Sequence, residues 1–191
     1  MLINKLKIVL LFALSFFMIL TRGSHITTLY SLPDASLVIF LLGGIYLSQA
    51  RYFILLFLLG SFIDFGSAAI DPRLGFCLTQ GYWGLIPAYG VMWLTGYYLN
   101  KYKYLQSPLA FISSITGSII LAFMISTQTY YIFSDRFNHP SLFESIHYGW
   151  NYLPDYFLYS FSYAAIFWLI QNFMSKNKFF SHYIISKLEI L

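Results

Sequence analysis

The sequence predicts an all-α membrane protein, built as a bundle of six transmembrane helices. Three observations indicate this class: 59% of the 191 residues are hydrophobic, only 9% are charged, and the mean hydropathy is +0.67. Soluble domains contain roughly a quarter charged residues, and a chain with so few could not cover a surface that faces water. The composition therefore argues against a soluble enzyme, a disordered tail and a nucleic-acid-binding module, despite the net charge of +4.

Six apolar runs supply the predicted helices. A helix that crosses a bilayer needs about 20 mostly apolar residues, so we expect the first two runs, which are short, to extend into their flanks. No cleavage site of small residues follows the first run, and we interpret it as a retained helix rather than a signal peptide. The six helices are expected to form a single domain over residues 1–191. The runs cover residues 6–21, 37–50, 52–69, 82–99, 108–133 and 152–173.

The basic residues predict the orientation of the bundle. If six helices alternate in direction, eight Lys and Arg residues fall on one side of the membrane and three on the other. The positive-inside rule then puts both termini in the cytoplasm. The outer three are Arg22, Arg73 and Arg136, and the inner eight are Lys5, Lys7, Arg51, Lys101, Lys103, Lys176, Lys178 and Lys187.

The predicted outer connections differ chemically from the inner ones. They cover residues 22–36, 70–81 and 134–151 and contain most of the acidic residues, most of the histidines and the single cysteine. Such asymmetry is typical of a receptor or transporter that takes a molecule from outside, whereas a purely structural protein does not need it. The alternative interpretation is that long outer loops are simply solvated.

Asp64 lies near the outer end of the third predicted helix. A carboxylate within the membrane costs about 2.5–3.5 kcal/mol on insertion scales, so we expect it to face a polar cavity or to find a partner. The alternative is a helix-end residue that reaches toward the lipid headgroups, although an aspartate side chain is short for that role.

Cys77 lies in a predicted outer loop that contains Gly and Pro. The nearby Arg73 is expected to lower the pKa of its thiol and so favour the thiolate. One thiolate cannot build a zinc or iron–sulfur site from protein ligands alone, but it can complete the coordination of a metal that a macrocycle already holds. The alternative role is a small apolar filler. His25, which follows the first run, is either a solvated loop residue or a ligand contact.

A spaced set of residues resembles the BtuM-type small cobalamin (vitamin B12) transporters of Gram-negative bacteria, a family related to the S-components of energy-coupling-factor transporters. The set comprises His25 after the first helix, Asp64 at the end of the third, Cys77 thirteen residues later and Tyr82 five residues after that. Two short segments are also similar to the family: Leu-Gly-Phe-Cys, which ends at the cysteine, and Gly-Tyr-Trp-Gly, which begins four residues after it. The resemblance covers essentially the whole chain.

The resemblance implies an S-component-like fold in the bacterial inner membrane, with a ligand site that faces the periplasm. It further implies that Cys77 is the axial ligand to the cobalt of cobalamin and removes cyanide from cyanocobalamin. Asp64 and Tyr82 would then hold the loop or the corrin amides by hydrogen bonding, and His25 would be a further pocket residue. The chain would be primarily a transporter, with enzymatic decyanation left open.

The expected partners are cobalamin, as a cobalt-containing substrate, and the lipid bilayer. No Walker A sequence is present, so we expect no ATP site of that kind in this chain. An energy-coupling ATPase is left open as a partner, although the first run lacks the small-residue stripe with which classical S-components dock, which argues against a dedicated one. No nucleic-acid partner is expected.

Two other functions remain open from the residues alone. One is an S-component-like carrier of a different vitamin, in which Cys77 is incidental. The other is an intramembrane lipid-modifying enzyme that uses Asp64 with His25 for acid–base chemistry. An accessory membrane protein without a ligand is the least specific alternative.

Overall fold

The computed structural model describes residues 2–22, 32–138 and 141–176, and over these residues the fold is all-helical, with no strand. This confirms the predicted all-α class. Four short 3₁₀ turns connect the helices, at Pro72–Cys77, Gln80–Gly84, Tyr104–Gln106 and Trp150–Tyr152. The helices are α1 (Leu2–Arg22), α2 (Ser36–Tyr46), α3 (Ala50–Ile70), α4 (Leu85–Lys101), α5 (Pro108–Phe133), α6 (Leu142–Gly149) and α7 (Leu153–Lys176).

Each of the six apolar runs coincides with a helix, and the remaining helix, α6, lies in a connection that the sequence pattern treats as a loop. Ser141 caps its N-terminus, since the side-chain oxygen accepts a hydrogen bond from the backbone N–H of Glu144 at 3.2 Å. This is the ordinary capping contact of a short helix. The fourth helix begins at Leu85 rather than at residue 82, because the preceding residues form a 3₁₀ turn.

The second helix is shorter than its apolar run and does not extend into its flanks. The backbone N–H groups of Leu47 and Ser48 both donate to the carbonyl oxygen of Gly43, at 2.8 and 3.0 Å, and Ser48 has a left-handed φ of 55°. This geometry ends a helix. With 11 residues, α2 rises about 16 Å, roughly half of the 30 Å thickness of a bilayer core.

Two of the described helices, α3 and α5, are long and apolar enough to cross a membrane by length and composition. They have 21 and 26 residues, and only 22% and 33% respectively of their apolar stretches is buried inside the protein. These two helices weakly indicate a membrane protein.

The six helices other than α6 alternate in direction. One end of the molecule therefore contains the C-termini of α1, α3 and α5 and the N-termini of α2, α4 and α7. We call this the site end. At the opposite end the Asn100 side chain donates to the carbonyl oxygen of Ile45 at 3.0 Å, and the Trp168 indole donates to that of Leu105 at 2.9 Å.

Glycines allow α2 and α4 to approach closely in the centre of the core. A Cβ atom on Gly44 would overlap the backbone carbonyl of Trp93, and one on Gly96 would overlap that of Leu41. On the same interface Phe40 stacks on Tyr89, with ring centroids 4.4 Å apart. The two helices are thus in backbone contact and form one rigid pair.

The close approach of α2 and α4 can be tested with two glycines of the same helix. We expect Gly96→Ala to destabilise the protein by about 1–3 kcal/mol, because the added methyl group overpacks a rigid contact. Gly90→Ala is the matched control, since a Cβ atom there meets nothing within 4 Å. Thermal unfolding in detergent, followed by circular dichroism, measures both. A Gly96→Ala protein as stable as Gly90→Ala would contradict the close contact.

Candidate ligand site

The segment between α3 and α4 is held in shape by its own side chains. Asp71 caps the first 3₁₀ turn by accepting from the backbone N–H of Arg73 at 3.0 Å, and Thr79 caps the second by accepting from Gly81 at 3.3 Å. A Cβ atom on Gly84 would overlap the Thr129 side chain on α5. Only a glycine fits at this contact, and the segment therefore lies directly against α5.

A charged pair joins α1 to α3 at the site end. The Arg22 guanidinium donates from Nε to Oδ1 of Asp64 and from Nη2 to Oδ2, both at 2.6 Å. The exposed fractions of the two side chains are only 11% and 22%. Two parallel charge-assisted hydrogen bonds of this kind fix both distance and orientation.

The remaining nitrogen of Arg22 contacts α2 and α4. Its Nη1 donates to Oγ of Ser36 at 2.7 Å and to the phenol oxygen of Tyr89 at 2.8 Å. Asp34 accepts more weakly, at 3.5 Å. All three guanidinium nitrogens are therefore engaged, and one side chain ties four helices together. We call Arg22, Asp34, Ser36, Asp64 and Tyr89 the polar cluster.

Tyr82 connects the α3–α4 segment to the polar cluster. Its phenol donates to Oδ2 of Asp64 at 2.8 Å and lies 3.3 Å from Oγ of Ser61. Burial raises the pKa of Tyr82 above its ordinary value, and the negative charge of Asp64 acts in the same direction. The phenol consequently keeps its proton and remains the donor in this bond.

Two cavities adjoin at the site end. The first, which we call the polar cavity, has a volume of about 410 Å³. The second, which we call the aromatic cavity, has a volume of about 630 Å³. Both volumes lie in the range of about 300–1,000 Å³ that is typical of small-molecule sites. The polar cavity is lined by residues that include Arg22, Asp34, Asp64, Tyr89, Tyr159 and Ser160, and the aromatic cavity by Phe76, Phe123, Tyr130, Tyr131, Phe137 and Tyr152.

Cys77 lies on the walls of both cavities and is exposed. Tyr82, Leu85, Ser126 and Tyr156 are the other residues that both cavities share. The thiol is therefore open to a molecule in either cavity, although it belongs to a loop that is fixed against α5.

The electrostatic environment of Cys77 differs from the sequence-based expectation. Although part of the side chain is exposed, its enclosure by the cavity walls and, next, the Asp64 carboxylate raise the pKa of the thiol, and Arg22 and Arg136 offset this only in part, so that the pKa is about 11. Arg73 does not contribute, because it forms an exposed ion pair with Asp71 at 2.8 Å. The expectation that Arg73 favours the thiolate is wrong, and the free cysteine is protonated at neutral pH.

Three of the four residues predicted for the site, Asp64, Cys77 and Tyr82, line the polar cavity together. The fourth, His25, lies outside the described residues. Sequence reasoning missed Arg22, which it assigned to an outer loop, and with it Tyr89. The available signal was the partner that an intramembrane Asp64 requires, since Arg22 ends the first apolar run on the same predicted side.

No protein-family model and no curated protein matches this chain. Among the residues that the structure describes, no group of three or more His, Cys, Asp and Glu side chains could hold a metal ion. The site therefore contains one thiol, several hydroxyl groups and an ion pair whose hydrogen-bonding atoms are all engaged, and these groups lie around two adjoining cavities.

The Arg22–Asp64 pair can be tested by a double-mutant cycle. We expect Asp64→Asn and Arg22→Gln each to cost about 3 kcal/mol, because each leaves a buried charge without its partner. The double variant should cost clearly less than the sum, since two neutral amides can bond to each other. Denaturant unfolding in detergent measures all three. Arg73→Gln is the control, with no measurable change expected for an exposed pair, and strict additivity would contradict the pairing.

The electrostatics of Cys77 can be tested by alkylation with iodoacetamide. Because a thiol with a pKa of about 11 is almost fully protonated at pH 8, we expect it to react about a hundredfold more slowly than a free cysteine with a pKa near 8.5. The rate should rise with pH up to about 10 without a plateau. Mass spectrometry of the labelled chain gives the rate.

Two variants separate the charges that act on this thiol. Asp64→Asn removes a negative charge, lowers the pKa of Cys77 and should accelerate alkylation at pH 8, in samples that circular dichroism shows to be folded. Arg73→Gln should leave the rate unchanged, because its charge is neutralised by Asp71. Slower alkylation of Arg73→Gln would restore the original sequence-based interpretation.

Proposed function

We propose that this chain is a bacterial inner-membrane protein that binds cobalamin and takes it up, with Cys77 as a ligand to the cobalt. The observation that carries the proposal is the position of Cys77. This cysteine lies, exposed, on the shared wall of two adjoining cavities. A thiol so placed can reach the centre of a large ligand that fills both.

The surface of the molecule supports a membrane location for the bundle. Large apolar side chains on three of its helices are turned outward, as Phe12 on α1, Phe62 on α3 and Leu109 on α5 are 71%, 77% and 79% exposed. Lipid can cover such a surface, whereas in water it would favour aggregation. The helices are proposed to form a six-span bundle that resembles an S-component, as one domain.

The charges support an orientation for this bundle. Lys5, Lys7, Arg51, Lys101 and Lys103 lie near the end opposite to the site end. By the positive-inside rule that end faces the cytoplasm together with both termini. The site end, with its two cavities, then faces the periplasm, where cobalamin would arrive.

The chemistry of the site suits a metal that brings its own ligands. A corrin ring holds cobalt through four nitrogen atoms, and at the axial positions a protein donor can replace an exchangeable ligand. A single soft sulfur donor can fill one such position. The hydroxyl groups of Tyr89, Tyr159 and Ser160 in the polar cavity suit hydrogen bonding to the amide groups at the rim of the corrin.

Ligand exchange at the cobalt would also remove cyanide from cyanocobalamin. The Cys77 sulfur forms a bond to cobalt, the cobalt–carbon bond breaks, and the thiol proton leaves with the cyanide as hydrogen cyanide. No electron is transferred, so this step needs no reductant. Because the pKa of the free thiol is about 11, the cobalt rather than the protein would stabilise the thiolate.

The geometry supports the lipid-modifying alternative less well. An acid–base enzyme would need Asp64 free to exchange a proton with its substrate. Arg22 and Tyr82 instead occupy both oxygens of this carboxylate, with three hydrogen bonds of 2.6–2.8 Å. Asp64 is therefore better suited to hold the site in shape than to carry protons. A coupling ATPase remains open as a partner of the proposed transporter.

The decisive test is the visible absorption spectrum of the protein purified in detergent after expression with cyanocobalamin. We expect coloured protein whose spectrum is shifted from that of free cyanocobalamin, because a cobalt–sulfur bond replaces the bond to cyanide. Cys77→Ser should lose the shift. Ser126→Ala should retain it, since Ser126 lines the same two cavities and is not proposed to ligate cobalt.

The outcomes separate the function from the role of the cysteine. An unchanged shifted spectrum in Cys77→Ser would keep cobalamin as the ligand but remove Cys77 from the coordination. A colourless, folded wild-type protein would reject cobalamin and leave an S-component-like carrier of a different vitamin as the alternative. Circular dichroism on each sample establishes the folding.

A further inference from the structure

The aromatic cavity contains a positive charge that the ion pairs described above do not use. Arg136 lines this cavity, and its Cζ atom lies 5.6 Å from the ring centroid of Phe76. Within the described part of the chain, no carboxylate lies within 4 Å of its guanidinium, not even that of the adjacent Asp135. By contrast, Arg22 is bound by Asp64, and Arg73 by Asp71. Arg136 is therefore able to receive an anion from outside the protein.

The walls of the same cavity suit a flat aromatic group. Phe137 stacks on Tyr131 with ring centroids 4.2 Å apart and meets Tyr130 edge-on at 6.3 Å. Tyr130 in turn meets the edge of Phe76 at 5.8 Å. Such walls bind planar heterocycles by stacking, largely regardless of their identity. A guanidinium beside them adds recognition of a phosphate, for which its fork geometry is suited.

From this arrangement we infer that the aromatic cavity binds the nucleotide tail of cobalamin, with the phosphodiester at Arg136 and the benzimidazole base among the aromatic rings. The cobalt–nitrogen bond to this base breaks on binding, and solvent water can take its place. The inference rests on the proposed function, because the tail is covalently attached to the corrin ring. Cys77 lies on the wall that the two cavities share, so a ring held at Cys77 places its tail within reach of the second cavity.

The charges around the cavity agree with this assignment. The phosphodiester carries one negative charge. No acidic side chain of the described residues lines the cavity, although Glu144 accepts a hydrogen bond from Tyr131, one of the lining residues, at 3.4 Å. Arg22, although cationic, lines only the polar cavity and has every nitrogen engaged. Arg136 is thus the group that can select for a phosphate.

The test compares two ligands that differ only by the tail. Full-length protein in detergent is titrated with cyanocobalamin and with cobinamide, which has the same corrin ring but no nucleotide tail. We expect the wild type to bind cobalamin more tightly than cobinamide. Arg136→Gln should weaken cobalamin binding about tenfold or more, as for the loss of a charge-assisted hydrogen bond, and leave cobinamide binding unchanged.

Two further variants sharpen the result. Arg136→Lys should give an intermediate loss for cobalamin, because it keeps the charge and loses the planar fork. Arg73→Gln is the matched control, an exposed arginine of the same end that is already paired, and should bind both ligands as the wild type does. Circular dichroism and thermal unfolding establish that each variant is folded.

The failure of the inference differs from the failure of the proposed function. If Arg136→Gln weakens both ligands equally, or neither, the tail is not bound at Arg136, and cobalamin remains the substrate. If the wild type binds neither corrinoid, the proposed function fails and the inference fails with it. Equal affinity of the wild type for the two ligands would also overturn the inference, since the tail would then add nothing.

Discussion

The ion pair between Arg22 and Asp64 is the interaction on which the rest of the site depends. Either charge alone would destabilise the end of an apolar helix bundle. Replacing one of the two residues by an uncharged residue leaves the charge of the other without a partner. Together they tie α1 to α3, and the third nitrogen of Arg22 reaches Ser36 on α2 and Tyr89 on α4. Four helices therefore meet at one guanidinium.

The loop that carries Cys77 depends on the same pair. Asp64, held by Arg22, accepts from Tyr82, and Tyr82 ends the segment that contains the cysteine. The carboxylate has a second effect, because after burial it is the largest influence that raises the pKa of the Cys77 thiol. The structure therefore presents a fixed but protonated thiol. Such a group is unreactive until a strong electrophile or a metal displaces the proton.

The helices could be predicted from the sequence because apolar runs of helical length are a local signal. The positions of Asp64, Cys77 and Tyr82 beside one cavity also follow from where each falls relative to a helix end. The sequence places Arg22 at the same end of the bundle as Asp64, but the pairing itself depends on the tertiary fold, because the two residues are 42 positions apart in the chain. The expectation for Arg73 failed for a different, local reason, because Asp71, two residues earlier in the chain, neutralises its charge. The early end of α2 likewise depends on a local turn at Ser48.

The arrangement of bonds also decides which helix can move at least cost. Displacing α2 from α4 would break the backbone contacts at Gly44 and Gly96, where no space remains between the two helices. These two helices therefore shift only together. Displacing α1 would separate a buried charged pair. The hydrogen bonds that attach α7 to other elements include those from Tyr163 to the Pro33 carbonyl at 3.2 Å and from Trp168 to that of Leu105 at 2.9 Å, and both are neutral. Neutral bonds each contribute only about 1 kcal/mol net, whereas breaking a buried ion pair costs several times more. Because Tyr156 and Tyr159 of α7 line the polar cavity, a shift of this helix would open the site while the polar cluster stays intact.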